Sequence, residues 1–320
     1  MDKMQGEWRP LVSILINNYN YGRFLGEAID SALKQTYTLK EVIVVDDGST
    51  DNSRNVIAEF GNKITAVLKE NGGQPSAFNA GFVQSKGEII CLLDSDDTFM
   101  PEKVSAVVDA LRKTPDAGWC FHVTRVVDRS GATVATCGPS RSEACDVRNQ
   151  AESGRLKLAT PATSGISFRR TLLGKILPMP DAPGVELSDI YLKCAAVSLA
   201  SGVCLNAELA VQRLHGNNIY TYRQGAITAR VLSRTGWELR RQFPATRRLA
   251  NKLIASALYE SVRNGVSAAD ESSLSDDYLA SSTRIDRCAI RLRALYHLSK
   301  WRLRNLGSKQ PVAEEMEESK

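Results

Sequence analysis

One run constrains this chain more than any other: Gly87-Glu88-Ile89-Ile90-Cys91-Leu92-Leu93-Asp94-Ser95-Asp96-Asp97. Five consecutive apolar residues, Ile89 to Leu93, predict a strand buried on both faces, as in a parallel sheet. The run stops at three carboxylates within four residues. Unpaired carboxylates cannot follow the strand into the core, so they must emerge together at its carboxyl end. In an open α/β sheet, that edge is where ligands bind. A cluster of this kind repels itself unless a proton or a cation relieves it, and its hard oxygens suit Mn²⁺ or Mg²⁺.

The flanking sequence repeats the same grammar. Leu11 to Ile16 reads as a first strand ending in Asn17-Asn18-Tyr19-Asn20, and Phe24, Leu25, Ala28, Ile29, Ala32 and Leu33 recur on one helical face. Glu41 to Val45 is a second strand, ending in Asp46-Asp47, with Gly48-Ser49-Thr50-Asp51 as the turn and Thr50 or Asp51 as helix cap. A third strand covers about Ile64 to Leu68, and Gly72-Gly73-Gln74-Pro75 opens the helix that carries Phe78 and Phe82. Pro101 opens another helix, and Trp119 to Val127 is a further strand. Strands alternating with helices through short connections specify a mostly parallel α/β sheet covered on both faces. Ser130 to Arg155 is polar and aperiodic, and reads as a loop or partly ordered excursion. A Pro/Gly-rich connection then leads to Glu186-Leu187-Ser188-Asp189 at the head of a helix. Beyond about Tyr222 the pattern is helical, which divides the chain into 1–222 and a helical extension, 223–320.

Several functions are excluded or disfavoured. No G-x-G-x-x-G follows the first strand and no Walker loop occurs, so dinucleotide and P-loop chemistry lose their main support. The net charge of +5 is concentrated near the C-terminus and forms no stripe along the body, which argues against nucleic acid as a partner. Seven cysteines without a Cys-x-x-Cys pair are those of reduced thiols in a cytoplasmic protein. No signal peptide is evident, and no apolar run approaches the ~18–20 residues that span a bilayer.

Four ordered stretches resemble family 2 glycosyltransferases of the GT-A fold, over about residues 10–220. They are Val12 to Asn20, Val44 to Asp51, Lys86-Gly87-Glu88 leading to Asp94-Ser95-Asp96-Asp97, and Arg213-Leu214-His215-Gly216-Asn217. The resemblance implies a metal-dependent, inverting transfer from a nucleotide sugar, with UDP the expected carrier, to a glycan, lipid-linked or protein acceptor. It places Asn17 and Tyr19 at the nucleobase, Asp47 at a base N–H, and Gln74 and Asn79 near the nucleotide or its ribose. Asp94 would touch ribose or metal-bound water, and Ser95 would contact the nucleotide sugar. Asp96, Asp97 and His215 would hold the cation, and Arg213 would face the diphosphate. Asp189 would be the catalytic base, with Glu186 behind it. The family's Glu-Asp pair is Ser188-Asp189 here, and a helix cap is the competing reading of Asp189. Thr163-Ser164-Gly165 would shape the acceptor pocket, while His122 and His297 read as structural.

Two other functions compete. Asp94-Ser95-Asp96-Asp97-Thr98 also fits the D-x-D-x-[TV] motif of haloacid dehalogenase-like phosphatases, but three strands precede it here and no second acidic pair ends a later core strand. The Ser188 departure keeps alive a degenerate sugar-nucleotide-binding module without a working base. An EF-hand fails because Phe99 stands where glycine is needed. Finally, Ile290, Leu292, Leu295, Leu298 and Trp301 are interleaved with arginines and a lysine between Arg284 and Leu306. Such a basic amphipathic helix either lies on the inner face of a membrane or packs on the body with its charges in water. The acidic tail, Glu314 to Glu318, has the composition of a disordered segment.

Overall fold

The computed structural model describes residues 8–180, 187–216, 218, 225–265 and 268–306. Glu186, Asn217 and the acidic tail lie outside them. The elements in chain order are β1 (Val12–Asn18), α1 (Gly22–Leu33), β2 (Lys40–Asp47), α2 (Ser53–Glu59), β3 (Thr65–Lys69), α3 (Gly73–Gln84), β4 (Ile89–Asp94) and β5 (Thr98–Phe99). Then come α4 (Lys103–Lys113), β6 (Trp119–Val127), β7 (Thr133–Cys137), β8 (Glu143–Cys145), α5 (Arg148–Glu152), β9 (Ile166–Arg169), α6 (Arg170–Ile176), α7 (Asp189–Leu199) and β10 (Gly202–Arg213). Four helices follow: α8 (Ala226–Gln242), α9 (Arg247–Arg263), α10 (Ala268–Ala280) and α11 (Arg284–Leu306).

One sheet runs in the order β3-β2-β1-β4-β9-β6-β10-β5. Its first half is parallel, with Asn17 level with Asp94 on one side and Val45 on the other. β9 is inserted antiparallel between β4 and β6. Consecutive side chains on a strand point to opposite faces. Ile14, Ile16, Val44, Cys91 and Leu93 therefore pack under α1 and α4, while Leu15, Val45, Ile90 and Leu92 face α3 and the later helices. Both faces being covered, every residue of the Ile89–Leu93 run is buried.

Gly87 makes the β1–β4 pairing possible. A Cβ there would sit 2.5 Å from the Ser13 backbone nitrogen, so only glycine lets the chain turn this close to β1. Its N–H donates to Ser13 Oγ at 2.8 Å. The Lys86-Gly87-Glu88 motif is thus a matter of packing.

The segment 130–155 departs from the expected loop. It forms β7 on the edge of β6, β8 on β10, and the short helix α5. β7 is exposed along most of its length, so no hydrophobic alternation announces it. Its order comes from the backbone ladder with β6. The C-terminal helices share the sheet's core: Leu239, Ile254, Tyr278 and Ile290 belong to the same buried cluster as Leu92 and Phe168. Among the described residues no helix is long and apolar enough to cross a membrane.

Candidate active site

The carboxyl ends of β1, β2 and β4 border a cleft of about 530 Å³, closed opposite by the start of α7. Asn17, Tyr19, Asp47, Gln74, Asp94, Ser95, Asp96, Asp97 and Asp189 all line it. Eight of these were expected at the donor or metal site and Asp189 as the base, and the fold brings them together from five separate stretches of chain. Asn17 lines the cleft, and both ends of its amide are shielded from water and without a protein partner. Gln74 Oε1 is in the same state. Buried polar atoms are normally satisfied, so these are groups that a bound molecule would complete. Tyr19 stays 40% exposed on the rim, its ring open to stacking.

The acids at the end of β4 form the electrostatic centre. Oxygens of Asp94, Asp96 and Asp97 lie within 4.8 Å of one another. At that separation each ionised pair repels by about 3–4 kcal/mol, for an effective dielectric constant of about 20. Burial, followed by the carboxylates of Asp96 and Asp189, pushes Asp94 up to about 8. Burial and the same neighbourhood raise Asp97 well above the usual carboxylate range, despite hydrogen bonds from Ser164 and from the Arg213 backbone. The neighbouring cations do not offset this cluster, so without a bound ion it holds protons. Close, hard, like-charged oxygens are the donor set of a divalent cation such as Mg²⁺ or Mn²⁺, and these residues fit it.

Each acid is held in place. Ser164 Oγ accepts from Asp94 N at 3.1 Å and donates to Asp97 Oδ2 at 2.6 Å, so one hydroxyl braces two of them. Arg213 N donates to Asp97 Oδ1 at 3.1 Å. Asp96 Oδ2 meets His215 Nε2 at 3.0 Å and Asn218 Nδ2 at 3.2 Å. An Arg23 guanidinium nitrogen lies 3.3 Å from His215 Nδ1. Guanidinium can only donate, so Nδ1 accepts and Nε2 carries the proton given to Asp96.

Asp189 faces the acids across the cleft at the first position of α7. Ser188 caps that helix, its Oγ accepting from Ile190 N at 3.3 Å. The helix-cap role thus falls to Ser188, which leaves the Asp189 carboxylate available to the cleft. One turn on, Lys193 Nζ reaches Asp189 Oδ2 at 2.7 Å and Pro161 O at 2.9 Å. Lys193 is buried, and it also lines the cleft.

Residues 13–177, just over half of the 320-residue chain, match the family described as Glycosyl transferase family 2. The chain belongs to that family. An uncharacterised glycosyltransferase of Nostoc sp. is 34% identical over 240 residues, covering 72% of this chain and 74% of its own. A Rickettsia typhi glycosyltransferase is 45% identical over 109 residues, and this match spans only 34% of its length. Among solved structures, Staphylococcus aureus TarS 1-349 in complex with UDP-GlcNAc superposes with a TM-score of 0.64 at 15% identity, covering 91% of both chains. The mannosyltransferase PcManGT of Pyrobaculum calidifontis, in complex with GDP-Man and Mn²⁺, gives 0.52 at 18%, covering 95% of this chain and 89% of its own. These likenesses establish the GT-A fold, and family membership makes the chain a glycosyltransferase. They leave the phosphatase reading without support.

Within this transferase, three of the expected contacts take other roles. Asn79 is turned away from the cleft, both ends of its amide bound to the backbone of Met179 at 2.9 and 2.7 Å. Arg213 sends its guanidinium outward to Glu27 and over the Phe24 ring, and only its backbone N–H serves the acids. His215 sits behind Asp96 and is absent from the cleft lining, so it braces Asp96 and does not join the cluster of three carboxylates. Asp47 lines the cleft but already accepts from Lys69 Nζ at 2.5 Å, Gly72 N at 3.0 Å and Gly73 N at 2.7 Å, which ties down the loop before α3. Its neighbour Asp46 is wholly internal. Burial alone would raise it, but bonds from Ser49, Arg54 and Asn18 outweigh that and hold it low.

Lys193 and Asn218 were not anticipated. Lys193 carried a signal, since a lysine four residues after a helix-start aspartate falls on the same face. Asn218 lies next to the Arg213–Asn217 motif, but nothing local announces that its amide bridges Asp96 and the Arg213 carbonyl.

Proposed function

We propose that this protein transfers a sugar from a nucleotide sugar, UDP being the carrier, to an acceptor hydroxyl with inversion at the anomeric carbon. The observation that carries the reading is the facing of two acidic groups across one cleft: Asp94, Asp96 and Asp97 on one wall, Asp189 on the other. Asn17, Tyr19 and Gln74 take the nucleoside, Tyr19 by stacking and the two amides through their unsatisfied atoms. Asp47 either holds its loop alone or also accepts a base N–H. Asp96 and Asp97, with Asp94 and Ser95 beside them, would hold a divalent cation, Mn²⁺ or Mg²⁺, which when bound would supply positive charge against the departing diphosphate. PcManGT, bound to GDP-Man and Mn²⁺, is the relative that supports this.

Asp189 takes the proton of the acceptor hydroxyl as it attacks, and Lys193 keeps that carboxylate oriented. Thr163 borders the acceptor side. Residues 1–222 carry both substrates, and 223–320 buttress them. The enzyme works in the cytoplasm at the inner face of the membrane, on a glycan, glycolipid or glycoprotein acceptor.

The test is calorimetric titration of UDP with and without Mn²⁺, followed by slow hydrolysis of a panel of nucleotide sugars. Binding that needs the cation and vanishes in Asp96→Ala supports the donor site. Asp189→Asn should keep that binding and lower turnover by about 10²–10⁴-fold, the usual contribution of a positioned base. Binding with no turnover by the native chain, even with acceptors supplied, would identify a sugar-nucleotide-binding module instead.

A further inference from the structure

α11 has two apolar faces, and only one is used. Ile290 is fully buried against the helices before it, and Ala294, His297, Leu298 and Trp301 are half-buried on the same side. Asp286 secures that side through Arg247 at 3.1 Å and Asn251 at 2.9 Å. At 100° per residue, Ile285, Leu292, Leu295, Tyr296 and Leu303 lie roughly 120–160° around the axis from Ile290. They are between 60% and 82% exposed, and they make up five of the eleven exposed large hydrophobics among the described residues.

Cations flank this outer stripe on both sides. Arg284, Arg291 and Arg302 run along one edge, and Arg293 and Lys300 along the other, as the same rotation places them. α11 holds seven Arg and Lys against the single Asp286, and that one acid is turned inward. A solvated surface would not need this apolar strip, and a protein partner of unspecified charge would not need cations on both borders.

We infer that the outer face of α11 is a docking surface for an anionic lipid bilayer. The stripe sinks to the level of the acyl boundary while the arginines on either side meet lipid phosphates. The inner face, with Ile290 and Trp301, stays on the protein, so the helix lies flat and ties the body to the surface. This rests on the placement at the inner membrane face proposed above and names its chemistry: anionic headgroups, read by charge and by a shallow apolar insertion.

Vesicle flotation of the full chain tests it, using phosphatidylcholine alone and phosphatidylcholine mixed with phosphatidylglycerol. The chain should float with the mixed vesicles, remain behind with the neutral ones, and release at high salt. Leu292→Glu/Leu295→Glu should abolish flotation. Arg291→Gln/Arg302→Gln should weaken it by roughly thirtyfold, from the usual contribution of a basic residue near an anionic surface. All four positions are exposed, and unchanged thermal midpoints and metal-dependent UDP binding would confirm folded variants. Retained flotation of the leucine variant would overturn the inference. So would failure of the native chain to float, including the case where the stripe instead joins two copies in sedimentation. Loss of UDP binding with flotation intact would strike the donor-site reading alone.

Discussion

Asp96 needs the residues behind it. His215 and Asn218 both donate to the same oxygen, Oδ2. Groups that orient a metal ligand typically contribute 10–100-fold to metal affinity. His215→Ala should therefore weaken Mn²⁺-dependent UDP binding by about that factor, read by calorimetry, with the fold intact. Lys193 acts on the other wall. Lys193→Met should lower kcat with little change in donor KM, and Lys193→Arg should restore part of it; an equal effect on both parameters would make it a donor contact. His122, away from the site, predicts an acid response. It is fully buried, its Nδ1 is bound to Val123 O at 3.0 Å, and its Nε2 has no partner, so burial lowers it from 6.5 to about 3. Between those values the unfolded chain binds the proton and the folded chain does not. Stability should thus fall as pH drops through that window, by up to about 1.4 kcal/mol per pH unit. Thermal midpoints over a pH series should show a flatter acid limb in His122→Gln.

At the scale of elements, β4 is where the fold and the chemistry meet. Its apolar body was legible as a run, and its acidic end as a site, because a strand buried on both faces has nowhere to put carboxylates except its tip. The nearby Gly87→Ala change would force Cβ onto Ser13 and should cost about 1–3 kcal/mol by chemical denaturation, as overpacking does. The donor site should survive in the fraction that folds. β7 and β8 were illegible for the opposite reason. They are short and exposed, and their order is supplied by β6 and β10. Ser164 belongs to the same class: it comes from the turn before β9, far along the chain, and yet braces two acids at once.

Taken whole, the molecule does not separate cleanly at residue 222. Leu239, Leu249, Ile254 and Tyr278 complete the core against α7, the helix that carries Asp189. A chain ending before α8 would leave that face of α7 uncovered. It should be insoluble or readily proteolysed, and a soluble truncated chain with full UDP binding would contradict this arrangement. The amino-acid order by itself determined the alternation of strands and helices, the sheet edge where acids collect, and the family, because all three are written in periodicity and in short ordered motifs. The folded structure alone decided which polar groups are still free to bind. Asp47, Asn79, Arg213 and His215 resemble Asn17 and Asp96 in their chemistry. Whether each is already committed depends on partners such as Lys69, Met179, Glu27 and Arg23 that distant parts of the chain bring against them, and no local pattern records those distances.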